Sequence, residues 1–431
     1  MRKIFAAAVV LLVYAAGAAQ NLVDAMRDTV MTSHKVISFG SGDAGADSVR
    51  RLVELFYYDQ FRSFSDPEAP YFLFMSRDAK LAMGIGGAIR MRAYYDWNGA
   101  MPVRAFMPYM IPMKPDAASM RHFDTTPAGT CLFFRVIGRN RRLGHYQLYL
   151  EANFGGYDYR DFTLKKAYAQ INDVTVGYAV TTFSDVAAQP PMVDANGPSN
   201  KISPANVLVR YMPSFGRHWS IAVSAETPST SVRADGTLTR ALSNWVPDGA
   251  AFVQYAWGRS SHVRLAGIVR SLSYRDEVAG ANRHAVGRAV MLSSVAHPLS
   301  RLTTYASVNY GRGYGSMGGD LSGGAYDLLP EPGRPGRLYA PASLGWCVGL
   351  QWNFRPELFV SVSASSTRLF TCGREIEPDE FKRGLMAVAN CFWNLTPRIQ
   401  VGAEFDYGRK FDFSGCARSA CRVGALAMFS F

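Results

Sequence analysis

Two arginines spaced two residues apart, Arg90 and Arg92, are the side chains of this chain best suited to hold a solute. A guanidinium is a planar fork of N–H donors. It pairs with both oxygens of a carboxylate or phosphate and stays charged at any working pH. Arg135, Lys166, Arg210, Arg264 and Arg270 extend the cationic set, with Lys80 and Arg288 beside them. The acidic residues of the same kind of segment are Asp96, Glu151, Glu226, Glu404 and Asp406, so the surplus is basic. A narrow wet passage lined this way concentrates small anions. The opposing reading is that the carboxylates, with Asp185 and Asp194, neutralise the arginines and merely order water.

The elements that position these charges are strands. In residues 79–97 none of Leu81, Met83, Ile85, Gly87, Ile89, Met91, Ala93, Tyr95 and Trp97 is charged, whereas the positions between them hold Lys80, Arg90, Arg92 and Asp96. Period two places one set on each face of a strand. A soluble strand runs about 5–6 residues and a tilted membrane-crossing one roughly 9–11. This alternation lasts longer and ends in Tyr94, Tyr95 and Trp97, the residue types of an interfacial aromatic girdle. It predicts a transmembrane barrel strand whose even-numbered residues face the lumen.

Sixteen such strands are predicted between residue 79 and the end. The first half lies near 79–97, 130–137, 145–154, 162–171, 173–182, 205–212, 218–227 and 249–257. The second half lies near 261–273, 284–296, 302–311, 343–354, 357–369, 383–395, 398–409 and 421–431. The strands near 162–171 and 284–296 alternate poorly. Connections alternate long and short, as in outer-membrane barrels with long outside loops and short periplasmic turns. Residues 183–204 follow the fifth strand and hold Asp185, Pro190, Pro191, Asp194, Gly197 and Pro198. By analogy with porins this connection folds inward as a constriction loop; an ordinary surface loop would use the same residues.

The first nineteen residues read as a signal peptide, with Arg2 and Lys3 before an apolar run and Ala16-Gly17-Ala18 as the cleavage site. Residues 20–68 form a separate periplasmic or plug segment with one helix over 47–64, where Val49, Leu52, Val53 and Phe56 recur at helical spacing. The barrel domain takes 69–431. The formal charge of +12 fits anionic lipid or an anion path, and export argues against nucleic acid.

The six cysteines match no metal pattern, and Cys416 with Cys421 is the one local candidate for a disulfide. No metal or cofactor is expected. The seven histidines are scattered; His218 near Ser220 is the nearest approach to a hydrolytic pair, so no catalytic residues and no enzyme activity are expected. Gly311-Arg312-Gly313-Tyr314-Gly315 lacks the βαβ context of a phosphate loop and reads as a strand end running into an outside loop. Val423, Ala425, Ala427, Phe429 and Phe431 share one face of the last strand. Its terminal aromatic resembles the signal read by the bacterial barrel-assembly machinery.

Three places resemble the DcaP-like outer-membrane porins. Gly402-Ala403-Glu404-Phe405-Asp406-Tyr407-Gly408-Arg409-Lys410 is similar to that family's penultimate strand, with Phe405 where the pattern has Tyr. Asn390-Cys391-Phe392-Trp393 resembles its Asn-x-x-Trp before a proline turn, although Pro397 comes two residues late. Residues 178–183, with Asp185 and 190–197, resemble its fifth strand and following loop. The N-terminal segment departs, being shorter than the coiled coil some members carry. The resemblance implies a homotrimer of sixteen-stranded channels in a Gram-negative outer membrane, passing small anionic solutes such as dicarboxylates. The alternatives are a non-transporting scaffold barrel that uses the helix as a partner handle, and a lipid-acting outer-membrane enzyme.

Overall fold

The computed structural model describes residues 35–41, 46–57, 60–67, 70, 72–99, 104–155, 161–258, 260–374 and 376–431. The expected signal peptide over 1–19 lies outside these residues. Sixteen antiparallel strands close into one barrel. The first eight are β1 (Leu81–Trp97), β2 in two pieces (Arg121–Thr126 and Cys131–Asn140), β3 (Gly144–Gly155), β4 (Asp161–Ile171), β5 (Val174–Val180), β6 (Ala205–Tyr211), β7 (Trp219–Glu226) and β8 (Asp248–Trp257). Then come β9 (Ser261–Asp276), β10 (Ala281–Leu299), β11 (Leu302–Arg312), β12 (Ala342–Arg355), β13 (Leu358–Phe370), β14 (Phe381–Thr396), β15 (Ile399–Asp412) and β16 (Ala417–Ser430). Closure is by β16 on β1, with Met428 opposite Arg90 and Leu426 opposite Arg92.

The alternation read from β1 is the alternation of its two faces. Ile85, Ile89, Met91 and Tyr95 are exposed, while Ala82, Ala88, Arg90, Arg92, Tyr94 and Asp96 are buried inside. Gly87 breaks the exposed series because the chain end packs against it. Phe431 N–H donates to Gly87 O over 3.1 Å and Gly87 N–H to Phe431 O over 3.0 Å. A Cβ there would stand 2.4 Å from Cys131 O.

The two poorly patterned strands have different explanations. In β4 the register shifts at Glu151/Ala152, and this bulge turns both Lys165 and Lys166 toward buried carboxylates, so period two fails. Strand β10 alternates cleanly in exposure, but apolar residues on both of its faces hide this in the sequence. Its even residues Val286, Arg288, Val290 and Leu292 are exposed, and Ala289, Met291 and Ser293 are buried. Arg288 therefore points outward, contrary to the sequence reading. Lys80 also misses the lumen: it lies in the turn before β1, exposed and paired with Asp78 at 2.7 Å. All six cysteines are free thiols, so the candidate Cys416–Cys421 bridge is not made; Cys416 sits in an exposed turn and Cys421 in the β16 ladder opposite Trp97.

Before the barrel, Lys35–Phe39 pairs in parallel with Phe72–Ser76, which in turn pairs with the stretch of β1 that β16 leaves uncovered. Between them lies helix α1 (Ala46–Tyr57). It packs Leu52, Val53 and Phe56 against Leu73, Met75, Ala82 and Ile137 on the inner wall. The helix ends before the predicted residue 64. Beyond it Phe61, Phe64 and Asp66 each reach a different part of the lumen wall, which one helix face cannot do.

Candidate functional site

The lumen is crossed by the connection 181–204 between β5 and β6. Near its start Asp185 accepts from Ser293 Oγ at 2.6 Å and meets His262 Nε2 at 2.9 Å, with Arg264 Nη1 at 3.7 Å. Burial alone would raise this carboxyl, but Arg264 and His262 outweigh it and hold it well below the usual carboxylate range. Farther on, the backbone N–H groups of Val193 and Asp194 each donate to Glu404 on β15 over 2.7 Å. Asn390 Nδ2 on β14 donates to Pro191 O at 2.7 Å and Glu404 at 3.0 Å. Asp194 itself accepts from Phe106 N–H at 2.9 Å and lies 3.2 Å from Arg422 Nη1. The loop is thus tied to β9 and β10 at one end and to β14, β15 and β16 at the other.

The cations sort by what they touch. Arg270 is held between Asp248 at 3.0 Å and Asp327 at 3.1 Å. Arg422 forks onto Asp96 at 2.6 and 3.0 Å. Arg264 donates to Gln254 and to Ser184 O beside Asp185. Arg210 donates to Thr182 Oγ1 at 2.8 Å and to Val180 O, with its guanidinium 3.9 Å from the Phe61 ring centre. Arg135 donates to Phe56 O at 2.7 Å and Gln147 Oε1 at 2.9 Å. Arg90 and Arg92 differ. Arg90 donates to Gly129 O at 2.6 Å and Arg92 to Val193 O at 2.8 Å and to Ala128 O. Among the described residues no carboxylate oxygen lies within 4.0 Å of either guanidinium. The two converge: a Cβ on Gly129, which has φ +84°, would stand 3.2 Å from Arg92 Nη1 and 3.7 Å from Arg90 Nη1. The structure brings Arg90 and Arg92 together, whereas Arg135 bonds the N-terminal segment at Phe56 O.

That segment occupies the same lumen. Phe61 lies between Arg210 and Arg264 and edge-on to Phe252 at 6.3 Å. Phe64 meets Phe392 at 4.9 Å and Phe359 at 5.9 Å. Asp66 accepts from Lys165 at 2.8 Å and Lys166 at 2.9 Å, and both lysines adjoin Glu151. Residues 60–67 therefore touch β4, β6, β8, β9, β13 and β14. A cavity of about 230 Å³ remains between Gln60 and Phe61 on one side and Arg135, Lys166, Tyr168 and Arg210 on the other.

Sequence reasoning missed Arg422, Asp248, Asp327, Asp66 and Lys165. The parity of β16, with Val423 outward, marks Arg422. No sequence signal gives Asp66 or Asp327, because their partners depend on the path of a loop. His218 bonds Ala256 O at 2.8 Å rather than Ser220. Ser261 Oγ lies 3.1 Å from His297 Nδ1, and among the described residues no carboxylate pairs with His297.

No protein-family model matches the chain, and no curated protein matches its sequence. Solved structures do match. The outer membrane channel DcaP of Acinetobacter baumannii superposes with a TM-score of 0.69 at 17% identity, covering 82% of this chain and 98% of that one. The chain shares the fold of outer-membrane barrels. An anion-selective porin from Comamonas acidovorans gives 0.55 at 11% identity, over 82% of this chain and 100% of the porin. A loop-deleted OmpT, an outer membrane protein of Vibrio cholerae, gives 0.52 at 10% identity over 82% and 100%.

Proposed function

We propose that the protein is a porin-type diffusion channel of a Gram-negative outer membrane, selective for small organic anions, with dicarboxylates the best-fitting class. The observation that carries this is the Arg90–Arg92 pair: two guanidiniums on backbone carbonyls, with no carboxylate of the described residues within 4.0 Å, beside the loop that crosses the lumen. Backbone oxygens satisfy donors without cancelling charge; Asp194 and Glu404 offset Arg92 only from beyond ion-pair distance, so part of the pair's field remains available to a passing anion. A dicarboxylate offers an oxygen pair to each fork. Connection 181–204, with Asp185 and Asp194 as its anchors, acts as the constriction. Arg135, Lys166, Arg210, Arg264, Arg270 and Glu404 line the path or hold its walls. The DcaP-like motifs on β14 and β15 support a homotrimer; the N-terminal segment is then periplasmic in origin, and Phe431 serves barrel assembly.

The experiment is single-channel recording with a dicarboxylate titrated into chloride. Wild-type current should fall as the dicarboxylate occupies the pore, and Arg90→Gln/Arg92→Gln should need at least tenfold more. Equal block in both would remove the arginine pair from the account. A second reading has its own support: residues 60–67 cross the lumen, as expected of a channel closed at rest or of a scaffold barrel. Conductance that stays absent after this segment is loosened would favour the scaffold.

A further inference from the structure

A second arginine array lies on the outside of the barrel. Arg288 on β10, Arg312 on β11, Arg368 on β13, Arg383 on β14 and Arg409 on β15 all point away from the lumen. Each follows its strand's outward parity: Val286 and Val290 flank Arg288, Tyr310 precedes Arg312, Val362 shares the parity of Arg368, Leu385 follows Arg383 and Tyr407 precedes Arg409. All five lie at the end that carries the long connections, just beyond the outward apolar residues Val290, Tyr310 and Phe405. On β1 the corresponding outward positions are Tyr95 and Trp97.

The array places like charges together. Arg288 is directly opposite Arg312, and Arg368 is directly opposite Arg383. Arg409 is opposite Leu385, and the Phe411 ring lies 5.0 Å from Arg409 and 5.9 Å from Arg383. Like charges opposed across a ladder are destabilising unless a counter-ion joins them. The outward face of β10 to β15 holds no Asp or Glu, and among the described residues no carboxylate comes within 4.0 Å of these five side chains. Among the described residues the protein supplies no counter-ion to this array.

We infer that this face binds the phosphate groups of the phosphorylated glycolipid in the outer leaflet. The inference rests on the outer-membrane reading above and is independent of what the pore conducts. Arginine is well matched to such a headgroup. Its fork grips phosphate bidentately, and its aliphatic stem lies along the apolar band while the charged head reaches the headgroup layer. Basic residues beside a bilayer core attract anionic lipid. Opposed pairs also bring two forks to one phosphate, which a single surface arginine does not.

The test uses the full-length protein in detergent, with native mass spectrometry of bound lipid. The probes are diphosphorylated lipid A and its phosphate-free analogue with the same acyl chains. Wild type should bind the phosphorylated form at least tenfold more tightly. The fivefold Arg→Gln variant should lose that preference. Should that variant fail to fold, Arg288→Gln/Arg312→Gln and Arg368→Gln/Arg383→Gln, made separately, should each weaken it. In lipid-free detergent those pair variants should melt no lower than wild type, since they relieve repulsion. Equal binding of the two lipids by wild type overturns the inference. So does an unchanged preference in the variants, or loss of oligomers without loss of lipid preference, which would make the face a subunit contact.

Discussion

Replacing Asp66 by Asn should release the N-terminal segment from the lumen. Asp66 takes both Lys165 and Lys166 at 2.8 and 2.9 Å and also accepts Ser63 N–H at 2.9 Å. Asp66 and Lys166 are buried, with side chains 7% and 6% exposed. Breaking a buried pair by removing one partner costs about 3–5 kcal/mol, because the remaining charge is left in place. Glu151, 2.8 Å from Lys165, still answers one ammonium, so the low end applies. About 3 kcal/mol is roughly a hundredfold in the ratio of docked to released segment. Two readouts report this: cleavage of residues 46–70 by protease added from the N-terminal side, and single-channel open time. Both should rise in Asp66→Asn. The pH dependence gives a third. Burial alone would raise the Asp66 carboxyl, but Lys165 and Lys166 outweigh it and hold it well below the ordinary 3.8. A depressed carboxyl contributes docking energy that is complete above that ordinary value and lost as pH falls through the depressed one. Wild-type cleavage and open time should therefore rise toward those of Asp66→Asn only in acid below about pH 4, and Asp66→Asn should not change there. Identical cleavage, open time and pH response in the two proteins would refute the reasoning.

Ile89 is half-exposed on the outward face of β1; Ile89→Arg should destabilise the barrel by roughly 2–4 kcal/mol, measured by reversible unfolding in lipid vesicles. Gly384→Ala should cost about 1–3 kcal/mol, because its Cβ would stand 2.0 Å from Asp320 Oδ2 and 3.0 Å from Pro108 Cβ; the heat needed to unfold the barrel in detergent reads it. Deleting residues 189–196 removes the partners of Glu404 and Asn390, and should raise conductance and admit larger sugars if the loop is the constriction. Liposome swelling with sugars of graded size measures the change.

The barrel was legible because one face of each strand is apolar over a membrane's thickness, and β1 alone carries that pattern from Leu81 to Trp97. The inward set followed from parity wherever the parity was clean, as for Arg90, Arg92, Arg210 and Glu404. It failed at Arg288, because both faces of 284–296 carry apolar residues, Val286, Val290 and Leu292 outside and Ala289, Met291 and Val295 inside. It blurred in β4, where a bulge turns two adjacent lysines inward. The connection 181–204 announced itself by length and proline content, but its seats on Glu404, Asn390 and His262 did not. Those bonds join residues as much as 211 positions apart, and nothing local encodes them. The same holds for the N-terminal segment. A helix was legible at 47–64, whereas the path of the chain beyond it depends on Phe61, Phe64 and Asp66 finding partners on six different strands.

The most direct test of the central claim is the reversal potential of wild-type channels in a planar bilayer under a tenfold potassium chloride gradient, compared with Arg90→Gln/Arg92→Gln. Two guanidiniums with no carboxylate of the described residues in ion-pair contact predict a wild-type potential displaced toward that of chloride, and a variant displaced less. A wild-type potential on the potassium side would contradict the account.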